Sequence, residues 1–407
     1  MTRHILPAEP DVTLHTPNDR ILDALRAPAR NAPESGIVEV VNAARELPDV
    51  IPLWVGEGDL PTPAFICEAA EAAMKAGETF YTYQRGLPEL RKALADYHGR
   101  IFGRPFDPER FFVTGSGMQA IQIAVQMIAG QGDEVLVPVP AWPNIAASVG
   151  LMGGVPVSVP LDFTQGGWSL DVARLEAAIT PRTRAIFINT PANPTGWVAS
   201  REDLKQILDI SRRHGIWIIA DEVYGRFYYG AGNHAPSFHE IVEEDDRVIQ
   251  VNTFSKNWAM TGWRIGWMSA PKALGQVIEN MVQYSTSGVA AFMQRGAIAA
   301  LSPQGDAFLE EQKARALAGR KIVCDALAAM DGVRFTVPDG SFYMFFGIEG
   351  HTDARQLAMD LALQARVGLA PASAFGVTGQ GFLRLCFARR ADHVEEGMRR
   401  LAAWLKR

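Results

Sequence analysis

The sequence predicts an α/β protein with a largely parallel sheet, followed by a smaller α+β unit toward the carboxyl end. Three observations predict it. Over residues 61–270, short apolar runs alternate with amphipathic stretches of helical period, the pattern of buried strands covered by helices. After residue 271 the alternation stops and a long helical region reaches about residue 329. A mixed tail follows, with strand-like runs at 334–337, 341–346 and 382–387 and helical patterns at 354–365 and at the end. The chain has 407 residues, too many for one simple core.

Taken in order, the first thirty or so residues carry Pro7, Pro10, Pro17, Pro28 and Pro33. They read as an arm that lies on something rather than as a packed element. The apolar runs are 110–114, 134–137, 156–161, 185–189, 216–220, 248–251 and 265–270. Their Val, Ile and Phe content and short length argue for strands. Residues 118–128 and 201–214 read as two of the covering helices.

Composition narrows the function. Hydrophobic residues make up 48% and charged residues 21% of the chain, the balance of a soluble globular protein. The formal net charge is -6, without a block of like charge, so no nucleic-acid partner is expected. Cys67, Cys324 and Cys386 are scattered, which suggests neither a disulfide framework nor a metal site and fits a reduced, cytoplasmic setting. No apolar run approaches a membrane helix, and residues 1–20 lack a signal-peptide core.

In open α/β sheets, ligands gather at the carboxyl ends of strands. Four segments there carry chemistry. In Thr253-Phe254-Ser255-Lys256-Asn257-Trp258 a lysine sits among aromatic residues. A lysine in a loop is usually solvated, but apolar flanks would desolvate this one and depress its pKa, as a Schiff-base lysine needs. Arg264, set between Trp263 and Gly266, is either an ion-pair partner or a bidentate clamp for an anion. Asp221 ends the apolar run 216–220, where it is either a helix N-cap or a carboxylate for a pyridinium nitrogen. Tyr224 is either a core tyrosine or a hydrogen-bond partner for a cofactor's phenolic oxygen. Asn193, before Pro194 and Gly196, marks a turn and is also placed to donate to a ligand oxygen. In Gly115-Ser116-Gly117-Met118 a strand meets a helix through a Gly-rich turn, an anion site by backbone N–H groups and helix dipole. The turn also matches a relaxed dinucleotide pattern. The acidic residues that pattern needs, Asp133 and Glu134, precede their strand instead of ending it, which argues against nicotinamide.

Together these segments resemble the class I/II aminotransferases of pyridoxal-phosphate fold type I, from Val55-Gly56-Glu57 to Arg384. The resemblance implies a seven-stranded sheet in a large domain, a small domain built from both chain ends, and a homodimer with shared active sites. The implied division is 1–59 (arm and first part of the small domain), 60–298 (large domain) and 299–407 (rest of the small domain). It implies pyridoxal 5'-phosphate as cofactor, no metal, and an amino acid and a 2-oxo acid as substrates. Lys256 would carry the cofactor and shuttle the α-proton. Asp221 would pair with the pyridine nitrogen, Asn193 and Tyr224 with the phenolic oxygen, and Trp142 would stack on the ring. Arg264, Thr253, the backbone of Ser116, Gly117 and Met118, and Tyr81 of the other subunit would hold the phosphate. Arg384 would grip the substrate α-carboxylate, and the backbone of Gly56 would lie over the substrate.

Two departures from the family pattern matter. Ala141 replaces the tyrosine that often precedes the stacking tryptophan. Met118 stands where some aspartate-specific members have a lysine, which weakens aspartate as donor and raises alanine or an apolar or aromatic amino acid; 2-oxoglutarate or pyruvate would be the acceptor. A lyase or cyclising synthase on the same fold, and a non-catalytic cofactor-sensing regulator, are the alternatives.

Overall fold

The computed structural model describes residues 21–376 and 381–406. The Pro-rich arm expected over the first thirty residues falls largely outside them. Its described part holds a short helix, Ala27–Arg30, ahead of the helix Gly36–Ala44.

The seven apolar runs pair into one sheet: β1 Phe111–Thr114, β2 Glu134–Val139, β3 Val155–Pro160, β4 Thr183–Asn189, β5 Trp217–Asp221, β6 Val248–Thr253 and β7 Gly266–Ser269. Their spatial order is β1-β7-β6-β5-β4-β2-β3. Neighbours from β6 to β3 are parallel, and β7 runs against both β1 and β6. The chain leaves β6 at Thr253 and returns at Gly266 without crossing a sheet face, so β7 has to be antiparallel.

Two-residue periodicity then assigns each face its helices. Phe187, Ile219 and Val251 meet Ile121 and Ala124 of the helix Gly117–Ile128. Ile186, Ile188 and Ile218 meet Leu204, Ile207 and Leu208 of the helix Arg201–His214 on the other face. This second helix has the bounds its sequence predicts because both ends are specified chemically. Ser200 and Asp203 form a reciprocal capping box, and Gly215 closes the helix at φ 67°.

The carboxyl-terminal part forms a four-stranded antiparallel sheet of β8 Val333–Phe335, β9 Tyr343–Ile348, β10 Ala370–Pro371 and β11 Phe382–Cys386, in the order β8-β9-β11-β10. Val40, Ala44, Leu53 and Trp54, from near the other end of the chain, share its core with Leu309, Val323, Tyr343, Leu383 and Leu401. Ile51–Pro52 also pairs in parallel with Val367–Gly368.

Three details differ from the sequence expectation. The helical region after residue 271 is broken into Gly275–Gln283, Ala291–Ala300 and Pro303–Ala328, with Ser287 and Gly288 at positive φ in the first break. The helix at 354–365 is α-helical only over Ala354–Asp360, then widens over Leu361–Ala365. A hairpin of Asp162–Thr164 and Gly167–Ser169 has no counterpart in the sequence reading.

Gly266 is required by close approach. A Cβ on Gly266 would lie 2.6 Å from the Gly117 nitrogen and 2.8 Å from the Asn252 oxygen, both main-chain atoms that cannot step aside. Gly266→Ala is expected to lower the unfolding free energy by about 1–3 kcal/mol through overpacking. Urea denaturation of the variant beside the parent chain measures it.

Candidate active site

β1, β4, β5 and β6 end at Thr114, Asn189, Asp221 and Thr253. Beside these ends lies a cavity of about 500 Å³, bordered by Gly56, Gly117, Met118, Trp142, Asn193, Asp221, Tyr224, Thr253, Lys256, Arg264 and Arg384. All the sequence-predicted site residues are therefore brought together except two. Ser116 stands one residue outside as the N-cap of Gly117–Ile128. Tyr81 does not line the cavity of its own chain; it is 92% exposed, beside the equally open Phe80.

Lys256 owes its direction to its neighbours. Phe254 and Trp258, four residues apart on the same helical face, are fully buried against Trp267. Lys256 lies midway between them in sequence and faces the other way, into the cavity. Its Nζ donates to the Gly56 carbonyl at 2.8 Å. Burial pulls this ammonium down to about 8, because the apolar surroundings favour the neutral amine.

Asp221 is 5% exposed. Its Oδ1 accepts a long hydrogen bond, 3.3 Å, from the Val223 N–H, and among the described residues its carboxylate has no bonded cation. Burial raises it to about 7, against the opposing pull of the Val223 N–H and the positive Lys256. The residues after it form a turn and not a helix, so it caps none. Asn189, its neighbour in register, donates to the Asp221 carbonyl at 3.0 Å and accepts from the Asn193 N–H at 2.7 Å. That pair of bonds ties the turn carrying Asn193 to the end of β5. The adjacent Glu222 also rises to about 7 on burial, but its oxygens are taken by Ser237 and the Phe238 N–H, outside the cavity.

Arg384 projects from β11 and is 3% exposed. It donates to Asn193 Oδ1 at 3.0 Å and to the Trp54 carbonyl, and its guanidinium lies between the rings of Tyr343 and Phe375, 4.6 and 5.0 Å from their centroids. Its Nε is buried without an acceptor among the described residues. A guanidinium held this firmly with a free N–H has the donor geometry that a carboxylate needs.

At the opposite end, the N–H groups of Gly117 and Met118 open the helix with no protein acceptor among the described residues. Thr253 Oγ1 and Ser255 Oγ lie 3.0 Å apart there, and Arg264, at φ 52°, donates to the Thr261 carbonyl. These are the donor groups that an anion site needs.

Sequence reasoning missed Tyr343, Asn189 and Ser255. Tyr343 Oη lies 2.8 Å from Tyr224 Oη, and a Cβ on Gly56 would sit 2.3 Å from it, so Gly56 is needed for this approach. Burial drives both tyrosines upward, so both stay protonated. The one available signal was a hydroxyl inside the otherwise apolar run Phe342-Tyr343-Met344-Phe345-Phe346. Among the described residues no group of acidic, histidine and cysteine side chains could hold a metal, and no helix is long and apolar enough to cross a membrane.

Residues 48–402 match the family described as aminotransferase class I and II. The chain is 36% identical over 360 residues to the probable aspartate/prephenate aminotransferase of Aquifex aeolicus, covering 87% of this chain and 90% of that protein. It is 35% identical over 379 residues to aromatic-amino-acid aminotransferase 2 of Thermococcus litoralis, covering 91% and 96%. Among solved structures, the alanine aminotransferase from Pyrococcus furiosus superposes with a TM-score of 0.87 at 31% identity, over 94% of this chain and 99% of that one. The substrates in these names differ while the reaction does not, and this chain belongs with them to the class I and II aminotransferase family, on the fold-type-I architecture.

Proposed function

We propose that this aminotransferase holds pyridoxal 5'-phosphate covalently through Lys256 and exchanges an amino group between an L-amino acid and a 2-oxo acid. The observation that carries the reading is one cavity containing a lysine pulled down to about 8 and, among the described residues, a buried carboxylate without a bonded cation and an arginine with an unpaired buried N–H. The cofactor's groups match what is left unsatisfied. Its phosphate fits the free N–H groups of Gly117 and Met118 with Ser116, Thr253 and Arg264, its ring nitrogen fits Asp221, its phenolic oxygen fits Asn193 and Tyr224, and its ring face fits Trp142. When bound, that cofactor supplies an electron sink for the substrate α-carbon.

The protein's own groups do the rest. Arg384 Nε and its neighbouring amine orient the α-carboxylate, which fixes which bond at the α-carbon faces Lys256. Lys256 Nζ, depressed to about 8, is free as an amine in a useful fraction near neutral pH and carries the α-proton. Asp221 supplies a fixed negative charge where positive charge is held, without reorganisation. Whenever Lys256 is released as a free amine, the Gly56 carbonyl accepts from its Nζ at 2.8 Å. The donor would be aspartate, alanine or an aromatic or apolar amino acid, and the acceptor 2-oxoglutarate or pyruvate.

The same reading includes a cytoplasmic homodimer with shared sites and a division at 1–59, 60–298 and 299–407. Supporting the dimer, Phe80, Tyr81 and Tyr284 are 83%, 92% and 86% exposed, more aromatic surface than an isolated chain leaves to water without a use. Supporting the division, residues 40–54 pack into the carboxyl-terminal core.

Lys256→Ala is expected to abolish both transamination and borohydride-fixable cofactor attachment; normal turnover would refute the assignment. Arg384→Ala should raise the apparent KM for amino acid and oxo acid alike, by about tenfold or more, since a buried charge-assisted contact is lost in both half-reactions. Asp221 gives a pH signature in the cofactor-free protein. Its folded pKa, about 7, lies above its ordinary 3.8, so its contribution to stability is present below 3.8 and is lost as pH rises through 7. Asp221→Asn should therefore resist urea better than the parent, by a margin that widens from pH 4 to 7 and then levels. A constant margin would mean that the carboxyl does not titrate in this window.

A further inference from the structure

A second, much smaller cavity of about 30 Å³ is bordered by residues that include His98, Thr190, Glu222, Arg226, Asn252 and Asn257. Five of these flank the active site in sequence. Glu222 follows Asp221, Asn252 precedes Thr253, and Asn257 follows Lys256. Arg226 lies two residues past Tyr224, and Thr190 directly follows Asn189. His98 comes from a distant element, the helix Pro88–Phe102.

Two residues on this border each bury an atom that has no partner among the described residues: His98 Nδ1 and Asn257 Oδ1. Both residues are buried. Their chemistry is complementary. The Trp267 Nε1–H can only donate, and it donates to His98 Nε2 at 3.2 Å. Burial pulls this imidazole down to about 3, so it is neutral and carries its one hydrogen on Nδ1. Nδ1 is therefore a donor, and Asn257 Oδ1 is an acceptor. Left bare, each costs folding free energy. The neighbouring polar groups are already engaged. Glu222 accepts from Ser237 and the Phe238 N–H, and Arg226 donates to Tyr97 Oη at 3.2 Å and to the Asn233 carbonyl at 3.1 Å. Asn252 Oδ1 accepts from the Thr253 N–H at 3.0 Å. A cavity of about 30 Å³ is on the order of the space one water takes up.

We propose that one bound water occupies this cavity, accepting from His98 Nδ1–H and donating to Asn257 Oδ1, and that the link makes His98 and Asn257 positioning residues for Lys256. Its bearing on the reaction rests on the role of Lys256 proposed above. Lys256 and Asn257 share the short helix Phe254–Asn257, which Phe254 and Trp258 hold by apolar packing. Such packing leaves small rotations of the segment cheap, whereas a directional hydrogen bond at Asn257 resists them. The Asn257 carbonyl is held separately, by Gln312 at 2.9 Å. The side chain therefore ties the lysine's segment to the helix Pro88–Phe102, across the back of the site.

A crystal structure of the cofactor-loaded enzyme tests the water directly. A solvent peak within about 3.2 Å of both His98 Nδ1 and Asn257 Oδ1 is expected. No peak there, or one bound to only one of the two atoms, overturns the proposal. The positioning role is read from steady-state transamination with the amino acid that the parent enzyme turns over fastest. Asn257→Ala should lower kcat by about tenfold or more, because about 1 Å of misplacement at a reacting group costs rate on that scale. The KM should stay within about threefold, since Arg384 is untouched. His98→Phe should act alike from the other end of the link, and His98→Asn, which keeps an N–H to give, should recover most of the rate. The double variant should lie within about threefold of the slower single variant, because a link broken at one end carries nothing at the other. An unchanged kcat in Asn257→Ala overturns the positioning role, as do losses that multiply in the double variant. Should His98→Phe fail to fold, Asn257→Ala and the solvent peak decide. Failure of the underlying site reading looks different, because the water would be present while no amino acid changes the cofactor absorbance of the parent enzyme.

Discussion

Keeping the Asp221 carboxylate buried with one long backbone hydrogen bond costs folding free energy, and much of the surrounding structure serves to hold it there. Its strand lies in the interior of the sheet, with β4 and β6 on either side. Asn189 ties the strand end to the Asn193 turn, and that turn accepts a hydrogen bond from Arg384. Lys256 comes from the next strand end, on a segment anchored by Phe254 and Trp258. A site of this kind trades stability for readiness. Its charges are already desolvated and oriented before a ligand arrives, and a ligand with complementary charges recovers what burial cost.

The two sheets meet through this constraint. Arg384 belongs to the carboxyl-terminal sheet, yet its hydrogen bonds go to Asn193 beside the large sheet and to Trp54 near the amino terminus. Tyr343 comes from the same small sheet and meets Tyr224 from the large one. Segments from three distant parts of the chain are therefore needed to finish one pocket. The amino-terminal segment contributes more than backbone, since Ile37, Val38 and Val41 of the helix Gly36–Ala44, and Arg45 after it, border the same cavity.

The fold was legible because its signals are local. β-branched and aromatic runs bounded by turns become strands wherever both faces are covered, and all seven were found to within about three residues at either end. The helix Arg201–His214 was legible to the residue because Ser200, Asp203 and Gly215 terminate it through their own side-chain and backbone chemistry. The breaks after residue 271 were not, because the pattern stays apolar and helical while Ser287 and Gly288 turn the chain. The direction of β7 and the pairing of Ile51–Pro52 with Val367–Gly368 are likewise properties of contacts between distant segments. No window of sequence contains them.

The site divides the same way. Lys256, Asp221, Asn193, Arg264 and the Ser116-Gly117-Met118 turn could be picked out by sequence alone, because each is an unusual residue at a strand end or turn. Tyr343 was hidden inside an apolar strand, where nothing local distinguishes a core residue from a site residue, and Asn189 ends its strand as Asp221 does but acts only through its bonds to Asp221 and Asn193, which lie far from it or across a turn. The sequence by itself thus determined the α/β class, the strand ends and the reactive residue types, since these follow from local period and side-chain chemistry. Only the tertiary structure decided which of those residues share a cavity, and that among the described residues Asp221 has no bonded cation while Arg384 keeps a free N–H. Burial and hydrogen-bond satisfaction are settled by what the rest of the chain brings alongside.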